Sequence, residues 1–472
     1  METALAEYED ARNIFASTAS LQTPDGAELL MKISNLLRQR GCFQDAIKAG
    51  EEARNILSMT QTMESTVGAS LMQSIGALKL ETGDRKGAKK AYKEATNIRK
   101  SRKTLNTSDG ALLMTSQGTA HTLQGNFQSA LDSFQEARRI REETGSLQTP
   151  DGAELLREIA NVNAMQGELE QALAAYSEAK SIRTSTGSLQ TPDGASLLMS
   201  TATVLKQRGR LAEALEACEE AKQIRMHTGS LTSPGGATLM KEVGVLSFQL
   251  GRRKSALDAY QEALDIRETC SSLKTADGAA LMTSMGIAKS VEGDFSGALE
   301  SFQTARSIRE ETKSLQTPDG AALLREIGNV MLHRGELEEA LSAYVEAKSI
   351  RSSTGSLQTP DGAALLMSTA TVLKQRGRLA EALEACEEAK QIRVQTGSLS
   401  SPGGATLLKE MGVLSFQLGR RKAALDAYQE ALDIRHACSS LKTADGAALL
   451  TSLGIAKSVE GDFSGALESF QT

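Results

Sequence analysis

The chain has 472 residues, with 53 basic and 59 acidic side chains giving a net charge of −6, and only 3% aromatic residues with no Trp. Mixed charge of this kind offers no global field to draw in nucleic acid or an anionic membrane, and no stretch approaches the ~18 apolar residues of a membrane span. Ala, Leu, Glu, Gln, Ser and Arg dominate, a composition of close-packed helices, so an all-α fold is expected.

The opening residues, with Glu2, Glu7, Glu9 and Asp10 and no apolar run, resemble neither a secretory signal nor an Arg-rich transit peptide. Residues 1–24 read as a partial repeat, a second helix and its connector. From there Asp25, Val67, Asp109, Asp151, Asp193, Gly235, Asp277, Asp319, Asp361, Gly403 and Asp445 each open the same run of residues, 42 positions apart. Residues 25–444 are thus ten repeats, and 445–472 an incomplete last one. Such a period marks units that stack on their neighbours around a continuous core, so 1–472 is expected to be a single solenoid domain.

In the unit from Asp319, apolar and small residues fall at Leu324, Ile327, Gly328 and Met331, then at Leu337, Ala340, Leu341, Tyr344, Ala347 and Ile350. These are helical spacings. Gly335 between them can end one helix and turn the chain into the next, giving an antiparallel hairpin. The residue two before each unit opening is Ser or Thr in all eleven cases, and all seven prolines follow such a residue. This predicts a hydroxyl cap with Pro at the first helical position. At the far end an Ile-Arg pair recurs nine times, from Ile98-Arg99 to Ile434-Arg435. Helix-end electrostatics or a bridge to a neighbouring acid explains it.

Leu324-x-x-Ile327-Gly328-x-x-Met331, followed by Gly335, Ala340, Tyr344 and Ala347, resembles the tetratricopeptide repeat, whose period is about 34 residues. The additional eight residues per unit align with the segment 355–362, and this longer form looks like the repeats of kinesin light chains. The resemblance implies a right-handed superhelical solenoid of antiparallel helical hairpins with the first helix of each unit on the concave side. On that face Arg157, Asn161, Lys206, Lys241 and Phe248 form a mixed strip, repeated by Arg325, Asn329, Lys374, Lys409 and Phe416. Basic, amide and apolar groups in this order suit an extended peptide with acidic side chains. Glu158, Glu242, Glu326 and Glu410 adjoin the basic residues, and neutralisation of the strip is the competing reading. Arg157/Asn161 and Arg325/Asn329 also resemble, loosely, the carboxylate clamps of chaperone-binding relatives. The following units depart from that pattern at Ser200, Ser368, Glu242 and Glu410.

Residues 151–304 recur as 319–472 at about six positions in seven, a displacement of 168 residues, or four units. Duplication of a four-unit cassette and a partner that itself repeats are both consistent with it. The chain stops about ten residues into a second helix and shows no polar cap, which points to a longer protein or to an end covered by another chain. Head-to-tail association would bring the helix around Tyr8 and Ile14 to the last unit.

The five cysteines lack CxxC spacing, which argues for a reducing, cytoplasmic setting without disulfides or zinc. The four histidines, at 121, 227, 333 and 436, occupy different places in their units, and no phosphate-cradling motif is present. No enzyme activity, cofactor or metal is expected. Two classes stay open: a scaffold that binds partner peptides in its groove, and a structural spacer or self-assembling rod.

Overall fold

The computed structural model describes residues 2–471, and of residues 2–6 and Gln39 only the course of the backbone. It is 79% helical, with no strand among the described residues. Its helices fall into two compact units, Met1–Leu231 and Thr232–Thr472. The first holds eleven helices, from Glu2–Ser17 to Leu211–His227, and the second twelve, from Pro234–Gln249 to Phe463–Gln471. Between Glu2–Ser17 and Phe463–Gln471, a first helix of 16 residues alternates with a second of 17, as in Pro318–His333 followed by Leu337–Ser353.

Helix starts follow from the caps. In all eleven first helices the Ser or Thr two before the unit opening is the N-cap, and its side-chain oxygen accepts from a backbone N–H three residues on, as in Thr359 to Gly362 at 3.3 Å. Proline occupies the first helical position, where a missing N–H leaves nothing unpaired. The turn inside the hairpin needs Gly335, whose φ is 79°, a left-handed value costly for other residues.

The core lies between hairpins. Leu324, Tyr344, Ala340 and Ala347 are fully buried, and Ile327 and Ile350 nearly so; Met331, Leu337 and Leu341 pack at its margin. A fully buried Leu or Ile contributes about 1.5–3 kcal/mol, so each hairpin depends on its neighbours' apolar faces. Charged pairs also tie successive second helices together. Arg138 meets Glu178 at 3.0 Å, Lys180 meets Glu220 at 2.6 Å, Lys348 meets Glu388 at 2.7 Å and Lys390 meets Glu430 at 2.7 Å, every pair 40 residues apart. Where the cation is replaced by Leu264, the acid's position holds Thr304.

Candidate functional site

Arg157 and Asn161 stand one turn apart on the Pro150–Met165 helix, but neither is idle. Arg157 pairs with Glu154 through both Nε, at 3.0 Å, and Nη2, and donates from Nη2 to Glu158 at 2.7 Å. The hydrogen bond with Glu154 holds the Arg157 guanidinium protonated well above its ordinary range. Burial works against ionisation of Glu154, yet Arg157 and Arg183 outweigh it and bring its pKa down; at Glu158 burial prevails and the pKa rises. The amide of Asn161 accepts from the Tyr176 hydroxyl at 2.6 Å, so it positions a core residue. Burial pushes that tyrosine's pKa up to about 12.

The duplicated strip repeats this chemistry. Arg325 donates to Glu326 at 2.8 Å, Asn329 donates to Glu326 at 3.1 Å, and Tyr344 donates to Asn329 at 2.7 Å. Lys374 donates to Glu410 at 2.6 Å. Thus the acids beside the strip do engage Arg157, Arg325 and Lys374. Lys206 is half-buried near the end of the Pro192–Gln207 helix. Lys241 and Lys409 are half-buried and make no ion pair or hydrogen bond with any described residue; Phe248 and Phe416 are half-buried too, and Phe416 lies against the core around Leu408 and Tyr428.

Two open hollows lie along the first helices of the first unit. One, of about 410 Å³, crosses three successive units, with Met31 and Asn35 from the first, Gln73 and Ala77 from the next and Ser116 from the third. The other, of about 490 Å³, is polar, walled by Asp151, Glu154, Arg157, Arg183, Asp193 and Ser196.

The recurring arginines prove to be buried, all nine at 9% exposure or less. Six of them reach the Asp that opens the next repeat: Arg99, Arg141, Arg267, Arg309, Arg351 and Arg435, at 3.3–3.9 Å. Arg183 turns instead to Glu154, at 3.3 Å. Arg225 and Arg393 have no carboxylate partner among the described residues, and glycine stands at both corresponding openings. Arg393 donates to the Ser398 carbonyl at 3.5 Å. Burial alone lowers the pKa of Arg393, whereas Asp361 partly offsets burial at Arg351. The Arg-to-Asp spacing of ten residues was the signal in the sequence for this bridge.

Among the described residues, no cluster of three or more His, Cys, Asp or Glu is arranged to hold a metal, and no helix is long and apolar enough to cross a membrane. Cys42 is exposed, Cys218 and Cys386 are buried, and Cys270 and Cys438 are intermediate.

A tetratricopeptide repeat family model matches residues 110–185, 195–269 and 363–437, and a second one residues 284–356. Among solved structures, the apo form of RapI is similar over 79% of this chain and 99% of its own, at 15% identity and a TM-score of 0.60. BtubC (BKLC) from P. vanneervenii is 23% identical over 49% of this chain and 92% of its own, with a TM-score of 0.43. A putative kinesin light chain of Podosopora anserina with nearly identical TPR-like repeats is 20% identical over 43% and 97%, with a TM-score of 0.38. No curated protein sequence matches the chain. With matches over more than half its length and hairpin upon hairpin in a 42-residue phase, the chain belongs to the tetratricopeptide repeat family.

Proposed function

We propose that this protein is a non-catalytic scaffold that takes an extended peptide across its first helices, with the peptide's acidic side chains meeting the basic positions there. The observation that carries the extended course of the peptide is the 410 Å³ hollow lined from three successive first helices, which lies apart from the strip residues, because an occupant there runs along the repeat direction and not into a single hairpin. Tetratricopeptide repeats generally serve as protein-interaction scaffolds, and the cysteine pattern supports a reducing, cytoplasmic setting. Lys241 and Lys409 offer uncommitted ammonium groups. Arg157, Arg325 and Lys374 must exchange an internal Glu for a ligand carboxylate, so they add selectivity more than affinity.

An array of acidic peptides and their neutral counterparts, probed with the full chain and with a Lys241→Glu/Lys409→Glu variant, tests this. Acidic peptides captured by the parent and lost in the variant, with helicity unchanged, are expected. Equal capture of acidic and neutral peptides, or equal capture by both proteins, refutes the acidic-peptide reading.

A further inference from the structure

The interval between the helices Arg85–Ser101 and Ser108–Leu123 departs from the rest of the array. Its second helix carries seven basic residues against the single acid Glu94, and that acid faces Arg54 at 3.8 Å. Lys89 stands where the preceding unit has Ile47 and every later second helix has Leu, among them Leu131, Leu173 and Leu215. Ala120 occupies the place of Leu78 and Val162 in the units on either side. An apolar filler is thus exchanged for an ammonium group, opposite a side chain that has been shortened. The result is an open hollow of about 310 Å³.

Its walls are of one sign. Lys89, Lys93, Lys100 and His121 line it with the amides of Asn97 and Gln124, and no carboxylate does. The three lysines make no hydrogen bond or ion pair with any described residue. Glu136, close enough to Lys100 to feel its charge, is already held through both oxygens by Arg139, at 2.7 and 2.9 Å. Gln117 is spent on the Tyr92 carbonyl and the Thr96 hydroxyl. The Nδ1 atom of His121 is buried with no partner, an uncommon state for a buried polar atom. Burial first, and Lys89 second, keep this imidazole's pKa below its ordinary value.

We propose that this hollow binds a small molecule bearing two or more phosphate groups. Lys89 and Lys93 are about 6 Å apart along the helix, and Lys93 and Lys100 about 10 Å. Linked phosphates, or a ring that carries several, match this spread of charge better than one phosphate does. Lysine serves phosphates as a point charge, and the volume lies at the small end of ligand sites. Because the hollow uses residues outside the proposed peptide strip, it can succeed or fail independently of that reading.

The test is calorimetric titration of the full chain with inorganic tripolyphosphate, beside orthophosphate and a short single-stranded oligonucleotide. Tripolyphosphate should saturate at one per chain and bind at least about tenfold tighter than orthophosphate. Lys89→Leu restores the residue of the other units, so it should fold normally, yet weaken binding by about tenfold or more. Lys90→Gln, exposed on the same helix but outside the hollow, should change affinity by less than about twofold. No binding, an unaffected Lys89→Leu variant, or orthophosphate as tight as tripolyphosphate would overturn the site. So would equal losses in the two variants or a tighter oligonucleotide, since either marks a general basic surface.

Discussion

Gly403 is the position where the array's own logic can be tested by completing it. In six repeats the buried arginine is met by the Asp of the next opening, whereas Arg393 faces the bare Cα of Gly403; a Cβ there would lie 3.2 Å from Nη2. The position 29 residues upstream, which gives Arg99 the hydroxyl of Ser70 and Arg435 that of Thr406, is Ala364 here. Gly403→Asp therefore supplies a counter-ion to a guanidinium stripped of both. Three contributions add. Replacing Gly at an ordinary helical position gives about 0.4–1 kcal/mol through the unfolded chain, and an acid in the first helical turn about 0.3–1 kcal/mol. The pair itself adds about 0–1 kcal/mol, because the corresponding carboxylates are 58–82% exposed and screened by solvent. Crowding at 3.2 Å subtracts from this, as Nη2 must retreat slightly. A net gain of about 1–2 kcal/mol should slow hydrogen exchange of the Pro402–Gln417 helix by about 5- to 30-fold. The control is Arg393→Leu, which places at 393 the leucine that stands at the corresponding position, Leu57, earlier in the chain. In that background the ion-pair share should vanish. If Gly403→Asp slows exchange equally with and without Arg393, or not at all, the missing-carboxylate reasoning is wrong.

Other expected outcomes rest on single contacts. Gly328→Ala places a Cβ 2.5 Å from the fully buried ring of Tyr344 and should destabilise by about 1–3 kcal/mol in urea unfolding, with the loss confined to transitions that involve that hairpin. Thr359→Ala removes the oxygen that caps Gly362 and should cost about 0.5–2 kcal/mol, seen as faster exchange in the first turn of the Pro360–Gln375 helix. Burial raises the pKa of Tyr92, Tyr176 and Tyr428 to about 12, and of Tyr260 and Tyr344 further still. Since the unfolded phenol titrates near 10, the stability these groups supply is fully present below pH ~10 and is lost as pH rises through ~12. An alkaline melt coincident with tyrosinate absorbance is the expected signature. Thiol reagents should modify exposed Cys42 rapidly, whereas Cys386, buried and with its pKa pushed up to about 12, should react only on unfolding.

The fold was legible because it is written eleven times in local chemistry. A Ser or Thr cap, Pro at the first helical position and a turn glycine act within a few residues, so their spacing alone sets helix starts and the hairpin turn. Even there one residue was missed: Gly362 is required because a Cβ would sit 1.9 Å from the Leu357 carbonyl, a close approach that only a folded connector reveals. The strip was less legible, since its meaning depends on partners outside the local window. Asn161 looked like a peptide-binding amide, but Tyr176, fifteen residues on, claims its carbonyl oxygen. The Arg ladder read as helix-end electrostatics or a bridge to a neighbouring acid; burial and the Asp ten residues later decide for the bridge, which joins one hairpin to the next. In both cases the same side chain suits two roles, and the choice follows from whether another part of the chain has already satisfied it. Sites in a repeat protein are therefore best sought where a unit lacks the partner its siblings possess. Arg393 lacks its carboxylate, and Lys89 replaces an apolar residue without gaining an acid; in each, the departure from the repeat leaves a charge that no carboxylate among the described residues meets.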